Sequence, residues 1–286
     1  MSVNITTAFS QQFSANIQML SQQKGSLLRS AVSEESVVGE KAFFDQVGSA
    51  TAVKRTSRHA DTPLSDTPHS RRMVTMDSYE YADLIDNADR VQTLIDPTSS
   101  YANAAAYAIG RAMDDAIIEA ALGSASTGKT GSSSVANANT VAVGSPAAGL
   151  TIAKLVSAKK TLDEGSVDPS IPRYIAVSPE QVEDLLNSTT VTSADFNTVK
   201  ALVQGEIDTF LGFKFITSNR LNVDGSSYRK VFAWAQDGLK LAVGKDLMTK
   251  IEPRADKSYS VQVYVCATFG ATRMEEAKVV EILCSE

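Results

Sequence analysis

Eight residues in the middle of the chain, GSASTGKT at 123–130, have the types and spacing of a phosphate-binding loop. Gly123, Gly128, Lys129 and Thr130 occupy the defined positions of G-x-x-x-x-G-K-[ST]. In a nucleotide-hydrolysing enzyme such a loop follows a buried strand and opens a helix, so that backbone N–H groups and the helix N-terminus converge on the phosphates. Here the order of elements is reversed. A long Ala-rich run leads into Gly123, and GSSSVANANTVAVG after Thr130 cannot begin a good helix. No strand ending in Asp, of the kind that places Mg²⁺, stands out downstream. The motif reads as a coincidence inside a Gly/Ser/Thr-rich loop. A P-loop nucleotide-binding enzyme is the alternative from another functional class.

Other reactive residues are equally unsupported. His59 and His69 are the two histidines, and with Asp61 and Asp66 they could hold a metal, although a polar, solvated loop is the simpler reading. Cys266 and Cys284 imply no disulfide framework and read as half-buried thiols. Asp114-Asp115 and Glu275-Glu276 are adjacent in sequence, so their side chains point apart and make poor acid–base pairs. No catalytic constellation, metal site or cofactor is expected.

The elements that would carry any function are more informative. The 286 residues are 43% apolar and 21% charged, enough for one large domain or several small ones with a buried core. A formal charge of -6 argues against a protein whose main task is gripping nucleic acid. The N-terminus lacks the basic start and apolar run of a signal peptide, and no window approaches 18 apolar residues, so a soluble product with no membrane partner is expected. Within the polar first 24 residues, Phe9, Phe13, Ile17 and Leu20 fall at helical spacing. That stripe either packs on its own domain or docks on something else.

Residues 54–75, KRTSRHADTPLSDTPHSRRMVT, form a long exposed excursion without apolar periodicity. Pro63 and Pro68 exclude a helix and disfavour a central strand. Its charge is +3, from Lys54, Arg55, Arg58, Arg71 and Arg72 against Asp61 and Asp66. Folded back as a hairpin of two strands of about 10 residues, it would reach about 33 Å. The next segment, 76–96, carries Asp77, Glu80, Asp83, Asp86, Asp89 and Asp96 against Arg90, a charge of -5.

Asp96-Pro97 is a good helix start, and Gly123 a good stop, for a helix of about 26 residues and ~39 Å. Residues 123–149 read as surface loop. From Thr151 a compact α/β unit follows: a helix with Ile152, Leu155, Val156 and Leu162 inward, a strand from Arg173, and a capped helix at Ser178-Pro179-Glu180-Gln181. SADFNTVKALVQG reads as another helix, FLGFKFITSNRL and YRKVFAWA as strands, and DGLKLAVGKD as a small helix or turn. LMTKIEPR, SYSVQVYVCATFGATRM and KVVEIL return to strand texture.

This order of parts resembles the major capsid protein of a tailed bacteriophage, the Hong Kong 97-type shell fold also found in encapsulins and the floor of herpesvirus capsids. The strings DPTSSYANAAAYAIGRAMDDAIIEAALG, IDTFLGFKFITSNRL and ATFGATRMEEAKVVEI carry the resemblance over nearly the whole chain. It implies an α+β fold with an N-terminal arm at 1–40, an extended loop at 41–84 and a spine helix at 97–122. A peripheral domain would comprise 85–150 and 250–286, and an axial domain 151–249 would gather around five-fold and six-fold centres. The implied function is a structural head shell of hexamers and pentamers enclosing the genome in the virion, assembled in the host cytoplasm. An encapsulin-like cargo shell is the alternative. Implied partners are further copies of the chain, with portal, scaffolding and decoration proteins, and double-stranded DNA enclosed without specific binding. The chain before the loop is too short for a large cleaved scaffolding segment, so any scaffold is expected to be a separate protein.

In such a shell the basic loop of one subunit would meet the acidic segment of the next. Arg55, Arg58, Arg71 and Arg72 are the expected donors, and Asp83, Asp86 and Asp89 the favoured acceptors. Pairing within the chain across the loop base, or plain solvation, is the alternative for each arginine. The Phe9, Phe13 and Ile17 stripe is the second expected contact.

Overall fold

The structure is a computed structural model that describes residues 21–59, 61–62, 64–86, 98–187 and 209–286. The chain opens with strands β1 (Ser33–Ser36), β2 (Lys41–Val47), β3 (His69–Thr75) and β4 (Asp77–Ile85), followed by helix α1 (Thr98–Leu122). Short strands β5 (Ala125–Thr127), β6 (Ser133–Val135) and β7 (Thr140–Val141) precede helix α2 (Ile152–Glu164), strand β8 (Arg173–Val177) and helix α3 (Pro179–Asn187). The rest is β9 (Thr209–Phe210), β10 (Phe213–Thr217), β11 (Tyr228–Ala235), β12 (Leu239–Arg254), β13 (Ser260–Arg273) and β14 (Val279–Ser285). The expected helix at 193–205 and the Asp96-Pro97 helix start lie outside the described residues. Contacts divide the chain into two compact units.

The larger unit comprises Ser26–Asp77, Ala112–Gly244 and Thr268–Glu286. Its centre is a six-stranded sheet in the order β7-β14-β11-β8-β10-β9. Strand β11 lies antiparallel to both β8 and β14. Its second half, Val231–Ala235, is fully buried, as expected for a strand covered on both faces. Trp234 stacks between Phe232 at 4.7 Å and Tyr174 at 5.7 Å, and its indole N–H donates to the Ala31 carbonyl at 2.9 Å. That bond ties the turn between the buried Leu28 and Ala31 to the sheet. β8 and β10 are parallel, in register from Arg173↔Phe213 to Val177↔Thr217, which requires a crossover, and α3 supplies part of it. β14, from a segment the sequence reading places in a peripheral domain, is thus a strand of the same sheet as β8, β10 and β11.

Helix α2 begins where the Thr151 side chain accepts from the Lys154 N–H, and it buries Lys154, Leu155, Ala158 and Leu162. Val156, expected to face inward, is half exposed. The inward arc runs 155–158–162, which turns position 156 away. Lys154 takes its place by passing its stem through the core and donating to the carbonyls of Ala148 at 2.6 Å and Leu283 at 2.8 Å. Helix α3 carries the expected cap: the Ser178 N–H donates to the Gln181 side-chain oxygen at 2.7 Å.

A second sheet of this unit has the order β2-β3-β5-β6. β2 and β3 form a long antiparallel hairpin in register from Lys41↔Thr75 to Val47↔His69. β3 is flanked on its other side by β5, so residues 69–75 are an inner strand, contrary to expectation. The alternation was hidden because its buried positions are Arg72 and Val74, an ion beside an aliphatic. Ala42, Phe44, Val74 and Met76 pack with Ala242 in a small core. A Cβ at Gly270 would collide with the Thr75 carbonyl oxygen, so only glycine lets β13 pass there. β1 adds in parallel to the start of β12, Ser33↔Lys240 to Ser36↔Val243.

The smaller unit comprises Met1–Gly25, Ser78–Arg111 and Lys245–Ala267. Its strands, parts of β12, β13 and β4, lie in that order. Val263 and Val265 are fully buried in it, and Ala105 and Ile109 are buried on its part of α1. The expected small helix or turn over 237–246 is instead a 3₁₀ turn at Gln236–Gly238 running straight into β12, a strand of 16 residues. Gly244 looks like a stop in sequence but lies within the strand, where the Met76 methyl and the Val37 carbonyl come close. No described helix is long and apolar enough to cross a membrane.

Candidate assembly surface

The phosphate-loop residues do not form a phosphate site. Ala125–Thr127 is strand β5, and Gly128–Gly131 turns the chain into β6, with Gly128 at φ 91° and Gly131 at φ 72°. Both glycines are needed for that left-handed turn. No helix opens after Lys129, so the dipole and N–H array that would hold phosphates are missing. His59, His69, Asp61 and Asp66 are all exposed, and no metal-ligating group of three or more exists among the described residues. Cys266 and Cys284 are both buried, more deeply than expected, and burial pushes the Cys284 thiol up to about 12.

The hairpin of β2 and β3 is the prominent surface feature. Its packed root ends at Arg72 and Phe44. Beyond them, every described residue from Gly48 to Pro68 is exposed except the intermediate Thr67, with Leu64 at 100% and Val53 at 65%. Arg55 and Arg58 are on this loop and exposed, and the Arg55 Nε donates to the Ser57 carbonyl at 2.8 Å.

Arg71 and Arg72 differ from these two, because both bind within the chain. Arg71 Nε donates to Asp45 across the hairpin at 2.5 Å, and its guanidinium lies 5.5 Å from the Phe43 ring centre. The bond to Arg71 holds the Asp45 carboxyl below the usual range and raises the Arg71 pKa. Arg72 is only 6% exposed. Its Nε donates to the Met274 carbonyl at 2.8 Å, and its Nη2 lies 2.7 Å from both Glu276 carboxylate oxygens. Successive strand residues point to opposite faces, so one arginine of the pair meets solvent and the other the core. Within one subunit Arg71 thus pairs across the hairpin and Arg72 with the distant Glu276.

On the acidic side, Asp83 accepts from the Tyr81 hydroxyl and from the Leu84 N–H, and Asp86 is exposed. Asp89, Phe9, Phe13 and Ile17 lie outside the described residues.

Several interacting residues carry no signal in the sequence. Asp114 is fully buried and accepts from the Ser26 hydroxyl at 2.5 Å and the Leu27 and Leu28 N–H groups at 3.1 Å each. Asp115 pairs with Arg220. Glu275 pairs with Lys278 at 3.2 Å and Glu276 with Arg72, so the two adjacent glutamates serve separate cations. Only an i,i+3 spacing to Lys278 and Arg273 hinted at this.

Glu286 accepts from Arg229 at 2.7 and 2.5 Å, from Gln181 at 2.8 Å and from Ser178 at 3.1 Å. Arg229 is the main reason its pKa falls from 4.5 to about 2. The folded state thus holds this carboxylate ionised after the unfolded chain has protonated it. The stabilisation is complete above pH about 4.5 and drains as pH falls towards 2; solvent screening at this exposed residue keeps it to about 1–2 kcal/mol. Glu286→Gln is expected to lower the melting temperature of unassembled subunits by several degrees at pH 6. That deficit should shrink towards zero between pH 4 and 2, as followed by circular dichroism.

The fold is similar to that of tailed-phage capsids. A capsid structure of the cyanophage P-SCSP1u matches at a TM-score of 0.76 and 15% identity, over 100% of this chain and 96% of that one. The capsid of the Helicobacter pylori bacteriophage KHP30 matches at 0.73 and 10% identity, over 99% and 97% of the two chains. A Mycobacterium phage Che8 structure matches at 0.66 and 17%, over 96% of each chain. These likenesses establish the fold. Among curated proteins, none matches significantly. The chain belongs to the phage capsid protein family, whose profile matches residues 5–286. It is a structural major capsid protein that self-assembles into the head shell, and its place is the virion capsid.

Proposed function

We propose that the exposed arm of the hairpin, residues 48–68, lies on a neighbouring subunit of the shell and directs hexamer and pentamer assembly. The observation that carries this reading is the arm itself: a long exposed loop with no core of its own, bearing Arg55, Arg58 and fully exposed Leu64. Arg55 and Arg58 pair with carboxylates of the adjacent copy, Asp83, Asp86 and Asp89 among them, while Arg71 and Arg72 set the arm's root. The Phe9, Phe13 and Ile17 stripe makes a second contact between copies. Residues 151–249 with β14 act as the axial domain, and α1 with the outer parts of β12 and β13 as the peripheral domain. The role is structural throughout, without catalysis or cofactor. Assembly takes place in the host cytoplasm with separate portal, scaffolding and decoration proteins, and the acidic wall encloses DNA without binding it specifically.

Single exposed ion pairs contribute only about 0–1 kcal/mol, so the arm succeeds through repetition around a closed lattice. Arg55→Glu with Arg58→Glu is expected to leave the melting temperature unchanged and to raise at least tenfold the protein concentration needed for shell formation. Light scattering and negative-stain microscopy measure this, and shells forming at the wild-type concentration would refute the pairing.

A further inference from the structure

We infer that the Arg72–Glu276 clasp is a positioning device that sets the pitch of the hairpin arm and thereby selects one shell size. The inference rests on the reading of the arm as a contact between subunits. It begins with how the hairpin is attached on the tipward side of its small core. β3 is joined to β5 by two register pairs, Arg72↔Thr127 and Met73↔Ser126. The Gly128 N–H at 3.2 Å and the Thr127 hydroxyl at 2.8 Å both donate to the Arg71 carbonyl, so on this side the tipward part of the hairpin is attached along one short axis. The clasp adds a second point away from that axis. Both strands reach the Met274 carbonyl, β3 through Arg72 Nε at 2.8 Å and β2 through Gln46 Nε2 at 2.5 Å.

The receiving corner is itself held fast. The Glu276 carboxylate is 3.7 Å from Arg273 Nε, and its carbonyl accepts from Asn139 at 2.7 Å. Lys278, in the same turn, reaches Asp237 at 2.7 Å. Meanwhile Arg72 Nη1 is buried without a hydrogen-bond partner. A guanidinium that leaves one donor unsatisfied is held by its surroundings in a geometry not optimal for itself, which fits a role in orientation. Arg72 is also the last deeply buried residue of β3 towards the tip. The clasp therefore sits where the packed root becomes the free arm, and small errors are magnified there. A tilt of about 10° at the root moves a tip some 30 Å away by about 5 Å.

The test replaces both partners, Arg72→Met with Glu276→Gln, which removes the pair together and keeps an amide oxygen facing the buried Arg273. Hydrogen exchange on the full-length subunit is expected to rise at least tenfold in residues 45–47 and 69–71 and to stay unchanged in β8 and β11. Shells are expected to be open or of mixed diameter by electron microscopy. Unchanged exchange at the root, or faster exchange with shells of one wild-type diameter, overturns the inference. If the double variant does not fold, Glu276→Gln takes its place with the same readouts. Failure of both to fold assigns the clasp to folding alone and overturns its positioning role. Excision of residues 50–66 separates the two ideas. Normal shells from the armless chain defeat the arm reading itself. Absent shells there, with uniform shells from the clasp variant, defeat only the clasp.

Discussion

A chain in which Gly-Gly replaces residues 50–66 is expected to fold with an unchanged or slightly raised melting temperature and to form no closed shells. The folding half of this expectation follows from exposure. No described residue in that stretch is buried, and Leu64 and Val53 are 100% and 65% exposed, so its removal opens no cavity and exposes no core. The shorter connection between β2 and β3 also lowers the entropy of closing the hairpin, which favours folding by roughly 1 kcal/mol. Asp45–Arg71 and the Arg72 clasp lie outside the excision and keep the root in place. The assembly half follows from multiplicity. A contact of a few kcal/mol is negligible between two free subunits but decisive when every subunit of a closed lattice must make it. Size-exclusion chromatography and negative-stain microscopy read the outcome, and closed shells from the armless chain would show that the arm is dispensable.

Whatever repeats its own chemistry over many residues could be read from the sequence. Helix α1 stands out because an Ala-rich run is bounded by Asp-Pro and Gly, and β8 and β11 because their apolar residues run together. The false phosphate loop could be rejected because a motif needs its neighbouring elements as well as its letters. Features set by distant contacts were hidden. Nothing local tells that β14 enters the sheet between β7 and β11, or that Gly244 continues a strand because Val37 and Met76 crowd it. The charges were the least legible. Arg71 and Arg72 look alike in sequence, yet one turns to solvent and the other is 6% exposed against Glu276. Arg273 and Glu276, in TRMEE, look like ordinary surface residues, yet Arg273 is fully buried and Glu276 pairs with Arg72.

Arg273→Met is expected to be strongly destabilising. Arg273 is fully buried, and its Nη1 donates to the carbonyls of Gly123 at 2.7 Å and Ala121 at 3.0 Å while Nη2 donates to Val135 at 2.8 Å. The last carbonyls of a helix have no partner within it, and the helix dipole favours a cation beside them. One guanidinium therefore closes the end of α1 and at the same time holds the end of β6, which is part of the sheet that flanks the hairpin root. Burial lowers the Arg273 pKa, and the nearby Glu276 carboxylate opposes that shift. Methionine matches the length of the side chain but leaves these carbonyls dry and unpaired, a loss of about 3–5 kcal/mol. Melting is expected about 10 °C lower. Lysine keeps the charge, yet a single ammonium cannot span Gly123 and Val135 as the planar fork does, so Arg273→Lys should lose roughly half as much. The order Arg, Lys, Met in thermal denaturation of unassembled subunits is the measurement. A methionine variant melting within about 2 °C of the wild type would mean that water reaches these carbonyls and that the guanidinium is not what joins helix and hairpin root.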